Sequence, residues 1–251
     1  MSSTLIAGES EAILVDALMT NDQADALAEW AKGFGKRITG VYITHGHSDH
    51  WLGLARLLER FPEARGFATA EVAARAAFEA DSNKTSRFWT SRFPGELPET
   101  PVLPEVLVEP EFGLDGQLVR VVSAGQGDTE HSTFFHVPSA EAVVAGDIVY
   151  NNVHMMQMET NEEKREAWIA SLDAIAALEP KIVVAGHKRA GSPDLPDNIA
   201  ASQRYLRDFT RIASQRDTVE DLVAGMMELH GDRDNPHTLW ISARAALTTR
   251  A

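Results

Sequence analysis

The chain has no cysteine. Disulfides, thiolate nucleophiles and every metal site that uses a cysteine ligand are therefore excluded. Positive charge is also scarce: 23 Lys and Arg stand against 37 Asp and Glu, giving a formal net charge of -14. No block of Lys and Arg offsets that field, which disfavours nucleic acid and anionic membrane surfaces as partners. No apolar run approaches the length of a membrane span, and Met1-Ser2-Ser3-Thr4 lacks the basic and apolar regions of a secretory leader. The expectation is a cytoplasmic protein with a small-molecule substrate. The sequence does not set its oligomeric state.

What is present is an ordinary globular composition, with 44% hydrophobic and 24% charged residues in 251. That is enough to bury a large core. Leu5-Ile6-Ala7 and Ala12 to Val15, split by Gly8-Glu9-Ser10-Glu11, read as a β-hairpin. Asp22 to Trp30 has helical spacing and ends before Gly33 and Gly35, and Ile38 to Thr44 reads as a strand. Trp51, Leu54, Ala55, Leu58 and Phe61 share one helical face, with Asp49 and His50 in its first turn, and Glu71 to Ala80 is a second helix. Phe88 to Gly95 is aromatic and then broken, and four further prolines follow at 98, 101, 104 and 110. That region reads as an excursion, either capping a pocket or packing its aromatics on the body.

Leu118 to Ser123, Thr133 to Val137 and Ala142 to Ala145 read as strands, and Asn161 to Leu178 as a helix closed by Pro180. Helices over Asn198 to Gln215, Thr218 to His230 and Pro236 to Thr248 complete the chain. The pattern predicts an α/β fold in one domain spanning residues 1–251, with a helical tail over about 197–251 packed on it.

The chemistry concentrates in Thr44-His45-Gly46-His47-Ser48-Asp49-His50. Three imidazoles and a carboxylate directly after a strand can converge on one point if the chain turns there, and neutral imidazole with carboxylate suits zinc, iron or manganese. Two later strands end in ligand-type side chains after the same Val-Val-Ala-Gly: Asp147 and His187. Open α/β sheets place their sites at strand ends.

At the H-x-H-x-D-H stretch the chain resembles the metallo-β-lactamase-fold hydrolase superfamily. The resemblance implies an αββα sandwich of that type with a helical C-terminal extension. It implies two metals, zinc by expectation, with His45 and His47 on the first, Asp49 and His50 on the second, Asp147 bridging and His187 completing the second. The family's G-H-T-like turn falls at Gly125-Gln126-Gly127, which puts Gln126 at the third ligand position of the first metal. An amide oxygen is a weak ligand there, so the first site is expected to be loose or empty, or filled by a harder metal, with iron and manganese as the alternatives to zinc. His131 is the alternative ligand, and neither residue is the third option. His136 reads as a packed or supporting histidine.

Tyr150 and His154 follow Asp147 and are candidates to bind substrate or protonate a leaving group, with core packing an equal alternative for Tyr150. Met155, Met156 and Met158 read as an adaptable apolar wall or as packing. The resemblance implies hydrolysis of an ester, lactone, amide or thioester through a metal-held hydroxide, with Asp49 orienting it and taking its proton. Lactonase or esterase activity is favoured over β-lactamase. Two other expectations stand beside it: an iron-dependent redox relative, and a degenerate relative that binds without turnover.

Overall fold

The computed structural model describes residues 1–81 and 83–248, with only the backbone over 83–86. The chain divides into two compact units, Met1–Val122 with Phe135–Ser139, and Ser123–Phe134 with Ala140–Ala251.

In the first unit β1 (Thr4–Ala7) and β2 (Glu11–Val15) pair antiparallel. Helix α1 (Asn21–Lys32) follows, and its Thr20 cap is reciprocal: Thr20 Oγ1 accepts from Gln23 N–H, and Gln23 Oε1 accepts from Thr20 N–H. Such a box contributes about 1 kcal/mol. Its buried face, Ala24, Leu27, Ala28 and Ala31, has the spacing of one helical stripe. Strand β3 (Arg37–Tyr42) runs parallel to β2, and after the short helices α2 (Ser48–Trp51) and α3 (Leu54–Arg60), β4 (Arg65–Ala68) runs parallel to β3. Trp51, Leu54 and Leu57 are fully buried among Leu14, Val41 and Ile43. Each such side chain contributes roughly 1.5–3 kcal/mol of burial.

Helices α4 (Ala70–Asp81) and α5 (Asn83–Arg92) come next. The excursion expected from Phe88 onward is therefore corrected: helix continues through Arg92. Trp89 and Phe93, four residues apart, pack against the core while Phe88 stays exposed under the Arg92 guanidinium at 3.6 Å. Strand β5 (Glu105–Val106) adds itself parallel to β4 and completes a five-stranded sheet in sequence order. Strand β6 (Glu111–Leu114) turns into β7 (Gln117–Gln126) through Asp115 (φ 47°) and Gly116 (φ 79°). Two positive φ values are what a two-residue type I′ hairpin turn requires. Asp115 also accepts from Ser10 N, Ser10 Oγ and Glu11 N, bonds that hold its carboxyl down to about 2.

Strand β7 crosses into the second unit at Ser123, and β8 (Glu130–Val137) returns to the first at Phe135. Within the second unit β9 (Ala142–Val144) pairs parallel with a later strand, β11 (Ile182–Val184), and β10 (Tyr150–Asn151) with β12 (His187–Lys188). Between them lies α6 (Glu162–Ala176), capped by Asn161. Helices α7 (Asp197–Gln215), α8 (Val219–His230, capped by Thr218) and α9 (Pro236–Thr248) follow. Helix α7 buries Ile199, Ser202, Tyr205, Leu206, Phe209 and Ile212 along one face. No described helix is long and apolar enough to cross a membrane.

Candidate metal centre

In the first unit the histidine loop hangs from the ends of β2 and β3. Asp16, buried and held at φ 65°, accepts from Thr44 N at 2.8 Å, from Thr44 Oγ1 at 2.9 Å, and from His50 Nδ1 at 2.8 Å. A carboxylate that accepts from His50 Nδ1 places the ring proton there, which leaves Nε2 with the lone pair. Thr44 gives its one hydroxyl proton to Asp16, so it accepts from His45 Nδ1 at 3.1 Å. The Nε2 of His45 is thereby also left with its lone pair. One carboxylate thus sets the tautomer of two buried imidazoles whose centroids are 4.0 Å apart. Both are in the form a divalent cation needs.

The rest of the loop is held from two other sides. Trp51 Nε1 donates to Gly46 O at 3.1 Å, and Ser48 Oγ donates to Glu79 Oε2 at 3.0 Å, while Arg75 on α4 donates to the other Glu79 oxygen at 2.9 Å. Position 46 has to be glycine, since a Cβ there would lie 2.3 Å from Arg75 Cγ. The His47 ring lies 4.9 Å from that of His45, and Asp49 Oδ2 is 3.8 Å from His50 Nε2.

In the second unit Asp147 lies in a short 3₁₀ turn entered at Gly146 (φ 51°) and supported by Trp168 Nε1 donating to Ile148 O at 2.8 Å. His187 opens β12 in register with Tyr150, and its Nε2 is 3.3 Å from Asp147 Oδ2. The Tyr150 ring stacks on His187 at 5.5 Å. Tyr150 Oη donates to Asp147 Oδ2 at 2.7 Å and lies 3.5 Å from Asp128 Oδ2. Position 186 admits no side chain, because a Cβ would stand 2.1 Å from Asp147 Oδ1. Helix α7 contributes Ser202, which bonds both Tyr150 N and Tyr150 O and so fixes the backbone of that tyrosine.

The other sequence candidates sit as follows. Gln126 ends β7 buried, with its amide donating to Gly127 O at 3.0 Å. His131 is exposed at φ 61°. His136 is partly buried, and that burial lowers its pKa. His154 is buried, with Nδ1 3.0 Å from the Tyr205 hydroxyl, and desolvation pushes its pKa down to about 4. Met155 is fully buried and the Met156 sulfur lies 3.9 Å from Ser242 Oγ on α9, whereas Met158 is exposed.

Sequence reasoning missed Asp16, Glu79 and Asp128. Asp16 and Glu79 are remote in sequence from the residues they hold. Asp128 carried a signal: Gly127-Asp128-Thr129 has the G-x-T form two residues beyond the turn that was read. The candidate ligands are His45, His47, Asp49 and His50 in the first unit and Asp128, Asp147 and His187 in the second. Within each unit these are imidazole and carboxylate donors, and in the first two imidazoles are held in the ligating tautomer, the chemistry that suits a divalent cation.

The family model of the metallo-beta-lactamase superfamily matches residues 2–187. The chain belongs to the metallo-β-lactamase superfamily. Among curated proteins, a hydroxyacylglutathione hydrolase of Acidiphilium cryptum is 28% identical over 192 residues, covering 73% of this chain and 67% of that protein. A type 2 metallo-beta-lactamase of a Bacillus species is 26% identical over 187 residues, covering 73% and 65%. The chain thus spans about two thirds of the length of these relatives. Among solved structures, a metallo-beta-lactamase family protein from Thermus thermophilus aligns with a TM-score of 0.69 at 21% identity, covering 98% of this chain and 87% of that one. A metallo-beta-lactamase from Pontibacter korlensis aligns at 0.61 and 17%, covering 81% and 86%. The fold is accordingly α/β of the metallo-β-lactamase type, with helices at the C-terminus, and this superfamily member carries the ligand types of a metallo-hydrolase.

Proposed function

We propose that this superfamily member is a metal-dependent hydrolase of a small-molecule ester, lactone or thioester, working with two divalent cations. The observation that carries the reading is the Asp16 relay, which spends three hydrogen bonds to present Nε2 of both His45 and His50. When bound, the cations acidify a water toward neutrality and polarise the scissile carbonyl.

In this reading His45, His47, Asp49 and His50 of the first unit and Asp147 and His187 of the second are the residues that would hold the cations. Asp49 accepts the proton from the attacking water, as a partly exposed carboxylate at the loop. Tyr150 is a positioning residue, since its proton goes to Asp147 and its ring steadies His187. His154 is assigned to packing on the strength of its bond to Tyr205.

The thioester option is supported by the hydroxyacylglutathione hydrolase relative and the β-lactam option by the other relative, each at under 30% identity. The test is a panel of a γ-lactone, an aryl ester, an acyl-glutathione thioester and a penicillin, with and without chelator. Chelator-sensitive turnover of the lactone, ester or thioester is expected. Turnover of none of the four, or turnover indifferent to chelation, would overturn the reading.

A further inference from the structure

We infer that Arg75 and Glu79 of α4 are positioning residues for the candidate ligand His47: together they clamp its two neighbours, Gly46 and Ser48, and so fix where its imidazole stands. The inference rests on the metal-dependent reading above and deepens it. Every residue in it belongs to the first unit.

The Asp16 relay acts on the rings of His45 and His50. A second set of contacts acts on the backbone around His47. Gly46 is held from two directions: Trp51 Nε1 donates to its carbonyl at 3.1 Å, and a Cβ at 46 would meet Arg75 Cγ at 2.3 Å and Arg75 Cβ at 2.5 Å. The stem of Arg75 therefore lies directly against the loop. Ser48 is held by its hydroxyl, which donates to Glu79 Oε2 at 3.0 Å. Ser48 is also the first residue of α2, which begins without a capping bond from the His47 side chain, so the tie to α4 helps to set where the helix starts. With both neighbours pinned, His47 is held at φ -70° and ψ 139°, and the freedom its ring keeps is that of its own side-chain torsions.

The clamp is itself well fixed. Arg75 and Glu79 stand one helical turn apart, and Arg75 Nη2 donates to Glu79 Oε1 at 2.9 Å, while the other oxygen accepts from Ser48. Only 10% of the Glu79 side chain is exposed, so the bonds to its carboxylate are charge-assisted and little weakened by solvent. Helix α4 is anchored beneath them by Val72 and Ala76, both buried in the core. A helix seated in the core thus reaches the loop at two points, one residue before His47 and one after it. Partners of this kind, which orient a ligand without touching the metal, tune its affinity.

The experiment measures Zn²⁺ affinity of the apo protein by chelator competition, and the visible absorption bands of Co²⁺-loaded protein. Ser48→Ala and Glu79→Ala are each expected to lower affinity for one equivalent by about tenfold or more and to shift the cobalt bands, with the far-ultraviolet circular dichroism unchanged. Both cut the same bond, so the double variant is expected to lose no more than Glu79→Ala alone. Glu79→Gln keeps a carbonyl oxygen for Ser48 and is expected to retain more affinity than Glu79→Ala. In a His47→Ala background, Ser48→Ala is expected to cost nothing further. Undiminished affinity in both single variants, losses that add in the double variant, or a Ser48→Ala loss that persists without His47 would each overturn the inference and leave the metal-dependent reading intact. If Glu79→Ala does not fold, Ser48→Ala, which keeps the pair between Arg75 and Glu79, carries the test together with His47→Ala. Wild-type protein that binds no metal would instead bring down the underlying reading, and this inference with it.

Discussion

The two units organise their candidate ligands by different means. In the first, His45, His47, Asp49 and His50 come from one continuous loop, and hydrogen bonds set its state: Asp16 fixes two tautomers, Trp51 holds Gly46, and Glu79 holds Ser48. In the second, Asp128, Asp147 and His187 come from the ends of separate elements, with the Tyr150 hydroxyl donating to Asp147 and lying 3.5 Å from Asp128. Contiguity lets the first half be organised by neighbours before any cation arrives. The first half should therefore lose function when its hydrogen bonds are cut, and the second when its charge is changed.

Deleting a ligand from either half is expected to have the largest effect. His47→Ala and Asp147→Ala should each reduce metal-dependent hydrolysis by on the order of 10³-fold, about 4 kcal/mol in the barrier, with the far-ultraviolet circular dichroism unchanged. Substantial activity in either variant would remove that residue from the ligand set.

Cutting the relay comes next. Asp16→Asn keeps the shape but offers His50 Nδ1 an amide in place of a carboxylate, so metal affinity should fall about 10–100-fold, or about 1.4–2.8 kcal/mol. An Asp16→Asn protein with wild-type affinity would show that the loop sets its tautomers without the acid.

The smallest expected effect lies away from the ligands, at His154. Burial holds its folded pKa near 4, below the value of about 6.5 for a free imidazole, so the unfolded chain takes up a proton there that the folded protein refuses. Stability from this group is complete above about pH 6.5 and is lost as pH falls from there toward 4, by on the order of 1 kcal/mol after allowance for partial solvation. Denaturant melts at pH 7 and pH 5 should show a smaller acid loss for His154→Gln than for wild type, with hydrolysis at pH 7 little changed. Equal losses would mean that other groups carry the acid sensitivity.

The same contrast explains what the sequence disclosed. The histidine loop was legible because its residues are adjacent, and β2, β3 and the helices of the C-terminal segment because their apolar spacing is regular. The end of β7 was read short because Ala124-Gly125 looks like the end of a strand. In the structure β7 runs on to Gln126 with Gly125 at φ 93° inside it. Helix α5 was obscured by the run of aromatic and polar residues before Pro94, although Trp89 and Phe93 have the spacing of a buried helical pair. Asp16 gave no signal at all. A lone acid after a strand becomes meaningful only once Thr44 and His50 fold back onto it.

The central claim is that both units serve bound cations, and elemental analysis of protein purified without added metal tests it most directly. The account predicts two equivalents of divalent metal per chain, with removal by chelator abolishing hydrolysis and re-addition restoring it. A chain that binds no metal yet hydrolyses its substrate at full rate would contradict it.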